Sequence, residues 1–227
     1  MKNKLDEILL SDKVVANFHD SYNGELKAWL NSILPEVELC AKQNQDNPWH
    51  IYNCLDHILC SVEEMNKQTK GMPYAERRKL AYVMFLHDMG KPESHIRRYS
   101  KLYNREVDSF FNHNIKSREI AFRVLPILGF ADKEIQEMLL LIEEHDIFMF
   151  LRLVEDGNPH HKVLNTELVK EYIARYNNIG DGAEFMGKLI MVGRADNKAQ
   201  NPKLTKDSLK LLDKFSQELQ EISQNSK

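Results

Sequence analysis

Three His-Asp dipeptides occur in the chain, His19-Asp20, His87-Asp88 and His145-Asp146, and they stand in different company. His19-Asp20 lies in the polar, turn-prone stretch NFHDSYNGE, where a solvated surface pair is expected. His87-Asp88 closes the apolar run LAYVMFL and is followed by Gly90 and Lys91, which places its carboxylate at the end of a buried helix. An ionised carboxylate in such a place is expensive without a cation or several hydrogen bonds. An isolated pair also has an ordinary reading, a helix-terminal histidine favoured by the dipole beside a solvated aspartate.

Other segments bring more donors of the same kind. In FMGKLIMVGRADNKAQ the stripe Phe185, Leu189, Val192 continues to Asp196, and in EIQEMLLLIEEHD the stripe through Ile135, Leu139 and Ile142 continues to His145. His57 borders the apolar face of IYNCLDHILCSV, and His113 opens HNIKSREIAFRVL, whose inward positions run on to Ile120 and Val124. One histidine on an apolar face is usually a satisfied core residue. Four histidines and two aspartates on the inward margins of separate helices suggest a shared ligand. Imidazole nitrogens and carboxylate oxygens without thiolate suit Mn, Fe, Co, Ni or Zn.

The elements that must position them are helical. Apolar residues recur at helical spacing, strand signals are nearly absent, and breakers fall between the periodic segments. Helices are predicted from Asn47-Pro48 onward, from Pro73 to the Gly90 stop, and over about 112–125, 132–145, 165–177, 182–199 and 206–223. Asp132 and Asp207 are predicted N-caps. ESHIRRYSKLYNRE (93–106) reads as a basic loop and 150–164 as a connection. The predicted fold is all-α, a single helical bundle with a metal site in its core. Residues 1–45 supply one or two flanking helices, 46–205 the main domain, and 206–227 an amphipathic helix of the same globular unit. That last helix could pack on its own domain or pair with a second copy as a homodimer.

Composition narrows the classes. At 42% apolar and 29% charged residues the chain is not disordered, and a net charge of −3 excludes a general nucleic-acid surface. No run approaches the roughly 18 apolar residues of a membrane span. Cys40, Cys54 and Cys60 lack CxxC spacing and read as reduced thiols, which with the unremarkable N-terminus predicts a cytoplasmic protein.

The order His57, His87-Asp88, His113, His145, Asp196, in the contexts NCLDHIL, FLHDMGKP, FFNHNIKSREIA, IEEHD and GRADNKAQ, resembles the HD-domain superfamily of metal-dependent phosphohydrolases. The likeness spans about residues 50–200. It is strongest to the HD domain attached to bacterial CCA-adding tRNA nucleotidyltransferases, without the nucleotidyltransferase domain. The resemblance implies that His57, His87, Asp88 and Asp196 hold one metal. His113 and His145 match the extra pair of two-metal members, with Asp88 then bridging.

It also implies hydrolysis of a small phosphoester, such as a nucleotide or a 2′,3′-cyclic nucleotide, by metal-activated hydroxide. Asp88 would orient the nucleophile. Lys91 would be catalytic and would reach a phosphate oxygen, with Arg97 and Arg98 as further substrate contacts. Two other readings share the ligand order: an HD-fold di-iron oxygenase resembling myo-inositol oxygenase, and a non-catalytic nucleotide-binding regulatory module. His50, His95 and His160-His161 are set aside as capping, surface or loop residues.

Overall fold

The computed structural model describes residues 1–225, and among them the chain forms a mostly helical bundle with eleven α-helices and two small two-stranded sheets. At its centre lies α6 (Tyr74–Leu86), in which every residue from Leu80 to Leu86 is buried. A helix that is apolar all round can only be a central one. Around it pack α5 (Cys54–Gln68), α7 (His113–Val124), α8 (Asp132–Glu143) and α10 (Gly182–Lys198). Phe85 meets Phe18 at 6.0 Å between ring centroids, and Tyr82 meets Phe130 at 5.2 Å. Burial of each such side chain stabilises the fold by roughly 1.5–3 kcal/mol.

Residues 1–45 contain four short helices rather than one or two: α1 (Lys2–Leu9), α2 (Val14–Ser21), α3 (Gly24–Ile33) and α4 (Glu36–Lys42). Their apolar residues Leu5, Leu9, Phe18, Leu30 and Val37 belong to the same core as α6. Short polar turns between them dilute the helical period, which is why one long pattern is not legible.

The helix expected from Asn47-Pro48 starts later. Asn53 is the N-cap of α5, its Oδ1 accepting from the Asp56 amide at 2.8 Å, and Ile51, expected on the apolar face, is exposed. Likewise Asp132 and Asp207 lie in the first turns of α8 and α11 (Lys206–Asn225), not at their caps. Besides Asn53, the caps that act by side chain among the described residues are Asn165 for α9 (Thr166–Tyr176) and Asp181 for α10.

The predicted basic loop is a β-hairpin, β1 (His95–Ser100) paired antiparallel with β2 (Arg105–Phe110), Arg97 opposite Asp108. Val107 and Asp108 are its buried residues, so neither face shows the apolar alternation that marks a strand. Charge holds it instead. Arg97 reaches Asp108 at 3.0 Å and Asp46 at 2.8 Å, and Arg105 reaches Asp46 at 2.7 Å. The Asp46 amide donates to Asp108 Oδ2 at 2.7 Å, and the Asp108 amide donates to the Asp46 carbonyl at 2.9 Å. In the connection 150–164 a brief parallel pair forms, β3 (Leu151–Arg152) with β4 (Lys162–Val163).

Helix α11 packs on α9 and α10 through Leu211, Leu212, Phe215 and Leu219, so its apolar stripe is buried against its own chain. The last two residues of the expected C-terminal segment lie outside the described residues. Among the described residues no helix is long and apolar enough to cross a membrane.

Candidate metal centre

The corner after α6 is set by Gly90. Its φ is not in the left-handed region; what requires glycine is proximity, since a Cβ there would sit 2.4 Å from the His113 carbonyl and 2.6 Å from the Ser117 amide. The Gly90 amide donates to Ser117 Oγ at 2.9 Å, locking the corner onto the N-terminal half of α7. Asn112, left-handed at φ 59°, turns the chain from β2 into that helix and aims His113 at the corner. The first turn of α5 brings His57, the last turn of α10 brings Asp196, and the residue two beyond α8 is His145.

All six side chains predicted as ligands meet there. One ligand atom each from His57, His87, Asp88 and Asp196 lies within 4.8 Å of the others, and so does one each from Asp88, His113 and His145. Asp88 is common to both groups. Its Oδ2 is 3.2 Å from His57 Nε2 and 3.3 Å from His87 Nε2, while its Oδ1 is 3.1 Å from His113 Nε2 and 3.7 Å from His145 Nε2. Asp196 Oδ1 lies 2.9 Å from His57 Nε2 and 3.5 Å from His87 Nε2. All six residues are buried.

The four imidazoles share one orientation. Nδ1 faces a backbone carbonyl in each: Met84 at 2.6 Å for His87, Phe110 at 2.8 Å for His113, Ile142 at 2.7 Å for His145 and Ala199 at 3.4 Å for His57. These carbonyls come from the ends of α6, β2, α8 and α10, where backbone acceptors lack a partner within their own element. An Nδ1–H donated to such a carbonyl leaves Nε2 as a lone pair, the tautomer a metal ligand needs.

Those lone pairs point at carboxylate oxygens, not at donors. His57 Nε2, His87 Nε2 and both Asp88 oxygens are buried without a properly directed hydrogen bond, even though the separations are short. Neutral imidazole nitrogens facing carboxylates repel unless protons or a cation come between them. The donor set and its orphaned atoms therefore fit a divalent transition metal.

Electrostatics point the same way. Burial opposes the charged form of His87, but Asp88 and Asp196 overcome it and push its pKa up to about 10. His57 is raised by the same two carboxylates against its burial, and His113 is raised chiefly by Asp88 and Asp146 against its own. His145 goes the other way, lowered by burial. Burial would raise Asp88 and Asp196, yet His87 and Lys91 hold Asp88, and His57 and His87 hold Asp196, well below the usual carboxylate range. The cluster favours positive charge.

Lys91 is buried at 5% exposure, its Nζ 2.5 Å from Asp88 Oδ2. The same ammonium donates to Gln45 Oε1 at 2.9 Å and approaches His50 Nε2 at 3.2 Å. Three donors are all an ammonium has, so a substrate anion would have to replace one of these partners. Arg97 and Arg98 sit on the exposed hairpin. Arg97 makes its polar contacts with Asp46, Asp108 and Glu106, and Arg98 with Ser109, its guanidinium over the Phe111 ring.

Four contributors escape a sequence reading. His50 lies in the irregular 47–53 segment, its Nδ1 bonded to Asn47 Oδ1 at 2.8 Å and its ring edge-on to His57. Gln45 supports Lys91, and Gln200 donates to Asp196 Oδ2 at 2.9 Å. Asp146 stands 3.3 Å from His113 Nε2 and 3.6 Å from His145 Nε2. Only Asp146 carried a signal, as the third His-Asp dipeptide. His19, set aside as a surface residue, pairs with Asp56 at 2.7 Å.

A scan of the chain against models of known protein families finds no match.

Proposed function

We propose that this protein is a metal-dependent phosphohydrolase acting on a small phosphoester, a nucleotide or a 2′,3′-cyclic nucleotide being the favoured class. The observation that carries the reading is the shared Asp88. One carboxylate, only partly balanced by Lys91, faces two pairs of inward imidazole nitrogens, an arrangement suited to one or two cations. The order and local contexts of the ligands, which resemble the HD-domain superfamily, add phosphate chemistry to it. His57, His87, Asp88 and Asp196 would hold one ion, and Asp88, His113 and His145 a second. Such an ion supplies a water acidified toward neutral pH and an electrophilic hold on a phosphoryl oxygen.

The chain's own residues do the rest. Four backbone carbonyls fix the imidazole tautomers, so the ligands need no rearrangement to bind. Lys91 balances part of the Asp88 charge and holds that carboxylate in its bridging orientation. The Gln200 amide, donating to Asp196 Oδ2 at 2.9 Å, fixes the orientation of that carboxylate. Burial of the cluster keeps bulk water from screening these charges.

The test is product release from 2′,3′-cyclic AMP and p-nitrophenyl phosphate with added Mn, Co or Zn, in wild type and Asp88→Ala. Metal-dependent turnover that is lost in the variant supports the reading. Two bound irons with oxygen consumption and no phosphate release would replace it with the oxygenase. Ligand binding without turnover would replace it with a regulatory module.

A further inference from the structure

We propose that Asp146 is a terminal ligand for a second cation, so that the centre consists of two matched half-sites sharing Asp88. This rests on the metal-centre reading above and adds a seventh donor to the six legible in the sequence.

The two halves correspond residue by residue, although Asp146 spreads its two oxygens over the two imidazoles and stands outside the 4.8 Å group formed by Asp88, His113 and His145. On the inner side His57 Nε2 and His87 Nε2 face Asp196 Oδ1 at 2.9 and 3.5 Å and Asp88 Oδ2 at 3.2 and 3.3 Å. On the outer side His113 Nε2 and His145 Nε2 face Asp146 Oδ2 and Oδ1 at 3.3 and 3.6 Å and Asp88 Oδ1 at 3.1 and 3.7 Å. Each half thus offers two imidazoles, one terminal carboxylate and one oxygen of the shared carboxylate. His113 Nε2 and His145 Nε2 are only 3.2 Å apart and both have Nδ1 turned to a backbone carbonyl, so in the neutral state two lone pairs confront each other. A cation between them removes the conflict.

The placement of Asp146 is built by the chain. It begins the 3₁₀ turn Ile147–Phe150, whose Met149 amide donates to the Asp146 carbonyl at 3.0 Å, and this tight turn brings its side chain back beside His145. Among the described residues its carboxylate pairs with His113 and His145. Asp196, by contrast, is steadied by Gln200. Asp146 is also the open member of the set, with 34% of its side chain exposed against 9% for Asp196. The outer cation is therefore the one that water and substrate reach directly, and the more exchangeable of the two.

The test uses the full chain stripped with chelator and titrated with Co(II), followed by calorimetry and by the visible absorption of the bound ion. Wild type is expected to take two equivalents. Asp146→Ala and Asp146→Asn should keep the tight equivalent within a few-fold and weaken the other by about 10–100-fold, the range seen when a residue supporting a metal is lost. Asp146→Glu should recover part of that loss. Unchanged melting curves of the metal-free variants establish that the fold is intact. Two equivalents of wild-type affinity in Asp146→Ala overturn the inference and leave the metal centre standing. One equivalent in wild type overturns it too, while no binding at all removes the metal-centre reading with it.

Discussion

Two charged clusters lie inside this bundle, and they are built to opposite rules. The first joins α6, α8 and α10 away from the Asp88 cluster. Lys79 contacts Glu76 at 2.8 Å and Glu137 at 2.5 Å, and Lys188 contacts Glu137 and Glu184, each at 2.6 Å. Every ammonium there has carboxylates and every contact is a salt bridge, so the cluster is complete as it stands. The second, around Asp88, sets carboxylate oxygens against imidazole lone pairs and leaves both Asp88 oxygens without a directed hydrogen bond. Glu184 and Glu76 of the first are open to water, at 65% and 37% of their side chains, whereas the six residues around Asp88 are all buried. Buried charge alone does not mark a functional site, whereas buried charge that the chain does not satisfy does.

Breaking each cluster should therefore cost different things. The largest effect is expected for Asp88→Ala, which removes the shared carboxylate. Bound metal should fall from two ions to less than one, with activity down more than about 100-fold, since even supporting residues of metal sites cost 10–100-fold. Metal analysis and turnover measure both. Lys79→Met should do the reverse, lowering stability by about 1 kcal/mol because partly exposed Glu137 keeps Lys188 as a partner, with metal content unchanged in urea-unfolding and metal-analysis experiments.

Gly90→Ala falls between the two. A methyl group 2.4 Å from the His113 carbonyl forces α7 away, at about 1–3 kcal/mol for overpacking. The displaced ligand is His113, so outer metal should be lost before inner metal.

The pH dependence of stability should differ in sign between the metal-free and metal-loaded chain. Without metal, His87 is held at about 10 and His57 and His113 are also raised. A raised histidine pKa stabilises the fold fully below the unfolded value of about 6.5, and that contribution is lost as pH rises toward the folded value. The melting temperature of the metal-free chain should thus fall between about pH 6.5 and 9.5. His145, lowered by burial, subtracts only on the acid side of this window, and the depressed Asp88 and Asp196 stay ionised throughout it. With metal the slope should reverse, because deprotonated imidazoles bind the cation more tightly. Thermal melts across that range decide it.

The smallest effect is expected on the hairpin. Arg97 already has three carboxylate partners, so Arg97→Ala should leave metal content unchanged and alter KM by less than about threefold, as befits an exposed ion-pair network. A tenfold rise in KM would return the hairpin to the substrate site.

How much of this was legible depended on whether burial or chain reversal placed the residue. Asp196 and His145 continue apolar stripes on α10 and past α8, and His87-Asp88 ends the most buried helix, so helical period alone aims them inward. His50 was not legible because 47–53 is irregular. The actual chain turns irregularly there and folds His50 over Lys91. Asp146 was hidden by adjacency, since neighbouring side chains on a regular element diverge and only the 3₁₀ turn brings it back beside His145. The hairpin eluded periodicity because charge pairs hold it together, and these depend on Asp46, distant in sequence from both strands.

The most direct test of the central claim is the metal content, by mass spectrometry, of protein purified without chelator, with the melting temperature before and after the metal is stripped. A satisfied core and an unsatisfied Asp88 cluster predict about two transition-metal ions per chain and a melting temperature that drops on stripping and returns with added Mn or Co. A chain that carries no metal, and whose melting temperature no added ion raises, would contradict it.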